Sequence, residues 1–570
     1  MPDKRGQNRK VGCLAPWTHF YIMENGYGPC CDVTFPIGNR ELEERLDNAD
    51  DFLDLFNSNS YINLRQAFLD GNIPYSCKVC MECGYNREYD EETAAEIDVA
   101  SVVPHVPRSV SLVVESPCNI SCVFCKSIRT ARDPEGDFRT FRKLFDRLEE
   151  IGWDKLDFIR VGGGEPFFNP GFNRFIQSYD WSRLGGATLK ITTNATLLHK
   201  VLDELADIPK VDFTFSVDAT GDAYEALRRG SSWERVRENL GLFSSMMRTR
   251  PGWRATIHSI VMKTSLPRIA ELMDLAAEWG FGYSLMNLHG KYYRENIFLF
   301  PDLLKGWHWE GHAADVLAAS ERHGFTAAHA DMARFREHLR AKLDGRHTPI
   351  RGFSCCDFRL QHLRSFFADM AAERFALIGL DDRLIQLLQS EPDMPGLECI
   401  VDRATGIGDF MGRPFLDADA LPGSPELDRL RRELDHVVVC CPTYQFDEYS
   451  ALAKALFPDS DIRYAPFFDR GTQANIEAIA RMDEPLVAFC TGGAARMLLE
   501  GTALGRADIV AFAENNVRLH GTTFRGKPVI RPDEIPDYGR NLVILSDGFS
   551  REIADQVRRE NLPVNLLPLF

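Results

Sequence analysis

Several familiar features are missing from this chain of 570 residues. No stretch approaches the roughly 18–20 apolar residues that a membrane-crossing helix needs, so no membrane partner is expected. The segment Met1 to Lys10 has no apolar h-region and does not read as a secretory signal. Basic residues are in deficit: 66 Lys and Arg against 83 Asp and Glu leave a formal charge of −17, which argues against nucleic acid as a general partner. A cytoplasmic location is the expectation that follows. Hydrophobic content of 44% and charged content of 26% are ordinary for globular proteins, and the length has room for about three or four domains.

Cysteine is not scarce. Fifteen are present, and three of them, Cys118, Cys122 and Cys125, share one short loop with Cys-x3-Cys-x2-Cys spacing. The loop follows the apolar run Ser111 to Glu115. Three thiolates on one loop can each hold an iron of a [4Fe–4S] cluster, because thiolate is the soft ligand such clusters require. Structural zinc prefers paired Cys-x2-Cys hooks with four ligands, and no fourth cysteine lies in this loop.

Downstream, strands alternate with helices at the spacing of a parallel sheet. Leu156 to Val161, Ala187 to Thr192, Asp212 to Ser216, Thr256 to Met262 and Tyr283 to Asn287 read as strands. Each ends in a polar cluster, and parallel α/β sheets build their sites at that end. The cysteine loop and these stations together resemble the radical SAM superfamily over residues 105–290. The resemblance implies a partial (βα)6 barrel and a fourth iron that binds the amino and carboxylate groups of S-adenosylmethionine. It also implies reductive cleavage to a 5'-deoxyadenosyl radical. It places Phe124 near the adenine. Gly163, Gly164, Glu165 and Pro166 match the Gly-Gly-Glu-Pro motif that meets the methionine amino group. Asn194 matches the polar station of the third strand, and Ser216 and Asp218 the ribose-facing station of the fourth. Arg228 or Arg229 matches the arginine that pairs with the methionine carboxylate.

A second set of thiols precedes the core. Cys13 opens a hairpin turned at Asn25-Gly26, Cys30 and Cys31 follow it, and Cys77, Cys80 and Cys83 lie beyond a helix ending at Gly71. The set resembles the SPASM/twitch auxiliary-cluster region of radical SAM proteins, here over residues 1–104. That resemblance implies a second cluster on Cys13, Cys30, Cys77 and Cys80, with Cys31 and Cys83 surplus. A four-cysteine zinc site is the alternative. Disulfides fit poorly with the reducing compartment that the core cluster implies.

Residues 291–365 read as a helical connector. Of its histidines only His308 and His312 share a helical face, and they read as surface or capping residues. Cys355 and Cys356 fit an iron–sulfur site or a buried inert pair equally well.

The last third repeats itself. The segment Phe410 to Leu421 aligns without gaps with Phe524 to Ile535, and each lies between apolar strands of matching order. The reading is two tandem Rossmann-like modules, 366–470 and 471–570. Asp402 and Glu514 stand where an acidic residue holds a ribose in dinucleotide sites. The glycine fingerprint is incomplete in both copies, so a nucleotide site and a scaffold or docking role both stand.

The function expected is a radical SAM enzyme acting on a sugar, nucleotide-sugar or related small molecule, with an electron donor protein as partner. No cobalamin-binding Asp-x-His-x-x-Gly motif and no leader-peptide recognition domain is evident. The second absence places a small molecule or sugar ahead of a peptide. The alternatives are a peptide- or protein-modifying radical SAM enzyme and a non-enzymatic iron–sulfur scaffold or sensor.

Overall fold

A computed structural model describes residues 13–23, 26–28, 52–71, 73, 77, 99–113, 117–125, 134–290, 292–344, 357–391, 393–403, 408–410, 412–441, 445–466, 470–517, 519–546 and 550–570. The chain divides into two compact units. One holds residues 1–73 and 86–343, the other residues 74–85 and 344–570.

The first unit is built on one sheet. Its strands are β1 (His19–Met23), β2 (Gly26–Gly28), β3 (Ser109–Val113), β5 (Phe158–Gly162), β6 (Thr188–Thr193), β7 (Val211–Ser216), β9 (Trp253–Val261) and β10 (Gly282–Asn287). Two short strands outside it, β4 (Ser121–Cys122) and β8 (Arg228–Arg229), pair with each other. The sheet order is β10-β9-β7-β6-β5-β3-β1-β2, and every neighbouring pair is parallel except β1 with β2. Helices Pro134–Ile151, Pro170–Ser178, Trp233–Met247 and Ile269–Trp279 connect the strands. The result is an α/β fold with seven parallel strands, consistent with the expected partial barrel.

Period-2 alternation gives the sheet two unlike faces. Phe213 and Phe215 point toward the helices, where both meet the Phe243 ring at 4.8 and 5.1 Å. Ile159, Val161, Leu189 and Ile191 share that buried face. The intervening residues line the inner face and are largely polar.

β1 is a strand of this sheet, not of a separate hairpin layer. It pairs in parallel with β3 from His19↔Ser109 to Met23↔Val113. Arg65, fully buried, fastens the approach to it: its guanidinium donates to the carbonyls of Pro16 (2.7 Å) and Phe56 (2.9 Å) and to Asn57 Oδ1 (2.8 Å). The guanidinium lies 4.4 Å from the Phe56 ring. Burial lowers its pKa to about 10, which still leaves it charged at neutral pH.

The second unit contains two sheets of one design. The first comprises β11 (Phe375–Ile378), β12 (Leu397–Asp402), β13 (Asp409–Phe410), β14 (Arg413–Asp417), β15 (His436–Val439) and β16 (Asp461–Tyr464). The second comprises β17 (Leu486–Phe489), β18 (Ile509–Ala513), β19 (Thr523–Phe524), β20 (Lys527–Ile530), β21 (Asn541–Ile544) and β22 (Asn565–Leu567). Their orders, β13-β14-β12-β11-β15-β16 and β19-β20-β18-β17-β21-β22, are identical copy to copy. Even the register shift after the first residue of the central strand recurs, at Phe375/Ala376 and at Leu486/Val487. The small hairpin in each copy turns through Gly412 and Gly526, at φ +77° and +75°. The repeat read from the sequence is thus a repeat of topology.

The copies differ at the residue after the central strand. Gly379 and Cys490 both donate to the neighbouring strand, at 2.8 and 2.9 Å, with φ of +80° and +86°. In the first copy a Cβ at Gly379 would lie 2.7 Å from the Tyr449 ring, so glycine is required there. In the second a cysteine occupies the same left-handed backbone at a cost. Gly379→Ala should destabilise the second unit by about 2–3 kcal/mol, and Cys490→Gly should stabilise it by about 1 kcal/mol. Thermal unfolding of the full chain checks both signs, and equal effects at the two positions would contradict the assignment.

Candidate active site

The cysteine loop is tied to the barrel by backbone and side chain together. Cys122 pairs antiparallel with Arg228, and the Val123 amide donates to the Leu227 carbonyl at 2.9 Å. The Cys125 amide donates to the Cys122 carbonyl at 3.2 Å, closing the loop on itself. Cys118 and Cys122 are half-buried and Cys125 is exposed. Among the described residues, no three His, Cys, Asp or Glu side chains converge as ligands of one ion do. A [4Fe–4S] cluster asks for a wider spread, because each thiolate binds its own iron. Three sulfur donors on one loop, with a guanidinium beside them, fit that group.

That guanidinium belongs to Arg228. It donates to Asp218 Oδ2 at 2.8 Å and to Cys122 Sγ at 3.7 Å, and lies 5.4 Å from the Phe124 ring. Burial pulls its pKa down, but the Asp218 carboxylate together with Cys122 and Tyr224 outweighs burial and holds it above the ordinary range. Asp218 is itself fully buried, and its second oxygen accepts the Ile260 amide at 2.9 Å. The sequence left Arg228 and Arg229 as alternatives. Arg228 is the buried one, whereas Arg229 is exposed. Asp218, expected to face a ribose, instead has both oxygens engaged by protein. Ser216, on the inner face one residue pair earlier, is half-buried.

Gly163 and Gly164 follow β5 with φ of +89° and +52°, backbone that side chains disfavour. The next residue, Glu165, is fully buried. Its Oε1 accepts from Thr193 Oγ1 (2.7 Å) and the Phe167 amide (3.2 Å), and its Oε2 from the Asn194 amide (2.7 Å). Pro166 opens the short helical turn Pro166–Phe168 behind it. Glu165 therefore clamps the end of β6 to the end of β5. Burial pushes its pKa up to about 7, against the three donors that favour the carboxylate.

Asn194 extends this clamp to the cysteines. Its Nδ2 donates to Cys118 Sγ (3.7 Å) and Asn119 Oδ1 (3.0 Å), and Thr196 Oγ1 donates to its Oδ1 at 2.5 Å. Asn119 Nδ2 closes the ring by donating to Thr196 Oγ1 at 2.8 Å. The intervening Ala195 sits at φ +62°, and its carbonyl accepts from buried Asn239 at 2.7 Å. Asn119, Thr196 and Asn239 were not read as site residues. Only the Asn-Ala-Thr step after a strand hinted at such a turn.

The inner face of the sheet opens below these loops. Registers place Thr192, Thr214 and Thr256 side by side on neighbouring strands, and Ser216, His258 and Ser284 side by side nearer the strand ends. His258 Nδ1 and Ser284 Oγ lie 2.8 Å apart. One level in the other direction from the threonines come Arg160, Lys190, Asp212 and Arg254.

The auxiliary thiols are only partly visible. Cys13 is half-buried in the first unit, and Cys77 is buried in the second. Cys30 and Cys80 lie outside the described residues, as do Cys31, Cys83, Cys355 and Cys356. In the C-terminal modules both acidic stations bond within their own copy. Asp402 accepts from Tyr449 Oη at 2.5 Å, and Glu514 accepts from the Thr491 hydroxyl (2.8 Å) and amide (3.1 Å).

A parallel half-barrel with a three-cysteine loop at the C-terminal ends of its strands defines a class. Residues 116–276 match the model of the radical SAM superfamily, so the chain carries a radical SAM domain. Members of the superfamily use a [4Fe–4S] cluster and S-adenosylmethionine. The chain is 28% identical over 169 residues to the mycofactocin maturase MftC of Mycobacterium tuberculosis (strain CDC 1551 / Oshkosh), a match covering 29% of this chain and 40% of the maturase. It is 21% identical over 174 residues to the GTP 3',8-cyclase of Synechocystis sp., covering 30% of this chain and 51% of the cyclase. Among solved structures, Streptococcus suis SuiB bound to precursor peptide SuiA is 20% identical with a TM-score of 0.27, covering 40% of this chain and 47% of that one. The matches thus span about half or less of each relative's length. The maturase among these relatives corrects one expectation: a small molecule or sugar does not rank ahead of a peptide. Among the described residues, no helix is long and apolar enough to cross a membrane.

The clamp yields a pH prediction. A raised Glu165 pKa means that its stabilising contribution is complete below the unfolded value of 4.5 and is lost as pH rises through about 7. Glu165→Gln should therefore flatten the fall in stability between those pH values by a few kcal/mol, on the order of the shift times 1.36. Denaturant titrations of wild type and variant at several pH values provide the measurement. Parallel pH profiles would remove Glu165 as the titrating group.

Proposed function

We propose that this chain is a radical SAM enzyme that modifies a peptide. The observation that carries the chemistry is the three-cysteine loop held into the barrel beside the buried Arg228–Asp218 pair. The similarity to a maturase supports the peptide as substrate class. Cys118, Cys122 and Cys125 would hold the cluster. When bound, the cluster supplies an electron to the sulfonium of S-adenosylmethionine, which opens the way to hydrogen abstraction from an unactivated carbon.

The chain's own residues do the rest. Gly163 and Gly164 bring backbone close to the methionine end, which a Cβ would obstruct. Phe124 offers a ring to the adenine. Asn194 orients Cys118 through its amide and, with Asn119 and Thr196, fixes the loop in one geometry. Arg228 places a positive charge beside Cys122, where it offsets the charge of a thiolate-bound cluster and remains a candidate for the methionine carboxylate. Asp218 positions that arginine. Ser216 lines the route from the inner face to the loop.

The remaining organisation is part of the same proposal. Residues 1–104 carry a second cluster of the SPASM/twitch auxiliary type. Residues 105–290 form the core and 291–365 the connector. Residues 366–470 and 471–570 form Rossmann-like modules, for which the parallel order 3-2-1-4-5 within each sheet is the support.

Two measurements test this. Anaerobic reconstitution of the full chain with iron and sulfide should give about eight irons, and about four in a variant with Cys118, Cys122 and Cys125 all replaced by alanine. That variant should release no 5'-deoxyadenosine from S-adenosylmethionine and dithionite, and release at the wild-type rate would sink the core assignment. A wild-type content of about four irons and one zinc would replace the auxiliary cluster by a zinc site. For the substrate class, a peptide pool should acquire a mass change that depends on S-adenosylmethionine. Turnover of nucleotide-sugars with no change in any peptide would overturn that reading.

A further inference from the structure

The inner face of the core sheet changes character with depth. At the level of Thr192, Thr214 and Thr256 it is small, polar and uncharged. One level farther from the cysteine loop, the registers Arg160↔Lys190, Lys190↔Asp212 and Asp212↔Arg254 line up three cations and one carboxylate across four adjacent strands. The single carboxylate, Asp212, lies 3.9 Å from Lys190. Among the described residues no ion pair involves Arg160 or Arg254, and both are exposed on this face. Arg160 and Lys190 also flank the Phe158 ring, at 5.5 and 4.3 Å. The same level carries Ser111, whose hydroxyl is buried and has no hydrogen-bond partner.

This concentration of positive charge runs against the rest of the chain, which carries a formal charge of −17. Like charges gathered on one face repel one another with no return in stability. They are accounted for if an anionic group of the substrate comes to lie among them. The face is one wall of the site and continues directly to Gly163 and Asn194. The charged level precedes Gly163 by three strand residues, or about 10 Å at 3.3 Å per residue. An extended peptide covers that span with about three residues.

We propose that Arg160, Lys190 and Arg254 form an anchoring site for a carboxylate of the peptide substrate, set about three residues from the residue that is modified. The inference rests on the peptide reading of the preceding subsection and narrows it to acidic peptides. The guanidinium forks of Arg160 and Arg254 suit a carboxylate, and the Phe158 ring beside them offers an apolar stop for the chain.

The test is selection from a random heptapeptide library on the full-length, reconstituted protein loaded with S-adenosylmethionine. Wild type should enrich Asp or Glu about fivefold or more at one position. The negative charge elsewhere on the protein suppresses non-specific capture of acidic peptides. A peptide made from the selected sequence should bind about tenfold more weakly when that residue is changed to its amide. Arg160→Gln with Arg254→Gln should abolish the enrichment, and Arg160→Lys with Arg254→Lys should retain most of it. All four changes fall on exposed positions, so loss of fold is not expected, and the melting temperature verifies it. No enrichment by wild type, or equal enrichment by the double glutamine variant, overturns the proposal. Release of 5'-deoxyadenosine is measured on the same preparation. Its absence from wild type counts against the enzyme reading, whereas its presence without an acidic preference counts against the anchor alone.

Discussion

The buried pair Arg228–Asp218 is the constraint on which the site depends. Two charges taken out of water cost several kcal/mol each, and the cost is recovered only where the geometry is good and the remaining valences are filled. Here Asp218 receives the Ile260 amide, and Arg228 reaches Cys122 and the face of Phe124. Since Arg228 also pairs by backbone with Cys122, the ion pair welds the cysteine loop to the ends of β7 and β9. A lysine could keep the charge but not the fork that meets a carboxylate, a sulfur and a ring at once. The loop is otherwise short of regular structure, with one two-residue strand to its name. Its position is therefore set from outside.

Glu165 does the complementary work on the other side. It joins β5 to β6, and Asn194 passes that order on to Cys118 and Asn119. The two carboxylates of the site differ in kind. Asp218 is balanced by a cation in direct contact. Glu165 has only neutral donors, and burial drives its pKa upward. One end of the loop is therefore held by an ion pair and the other by a network of amides and a hydroxyl.

Much of this was legible in the sequence, because it is local. The cysteine spacing, the Gly-Gly-Glu-Pro turn and the polar strand ends are each contained in a few residues, and the period-2 pattern locates the strands between them. What was hidden depends on contacts distant along the chain. β1 joins the sheet through a partner strand 90 residues away, so its hairpin with β2 looked self-contained. Asn239 supports Ala195 from a helix 44 residues downstream, and no spacing rule connects them. The choice between Arg228 and Arg229 needed the direction of one two-residue strand. The resemblance set Asp218 toward a ribose, but neither it nor parity reveals that Arg228 folds back onto the carboxylate.

The tandem modules illustrate the same limit in a different form. Identical strand order, and a shared register shift, establish that the copies are one design. Their turns have diverged. In the first, Asp381 caps the helix Asp382–Ser390 by accepting the Leu384 amide at 2.8 Å, and buried Arg383 neutralises it. The anion that a helix N-terminus attracts is thus supplied by the protein. In the second, Gly492 leaves the N-terminus of Gly493–Gly501 without a side-chain cap, a setting in which a helix end attracts a phosphate. Yet Glu514 accepts from the amide and hydroxyl of Thr491, on the same turn. A phosphate approaching that turn would meet a carboxylate already using one of its donors. Each copy therefore spends an acidic residue on holding its own turn, Asp381 in the first and Glu514 in the second. That favours packing or docking over nucleotide binding, because an acid engaged at the turn repels the phosphate it was expected to accompany.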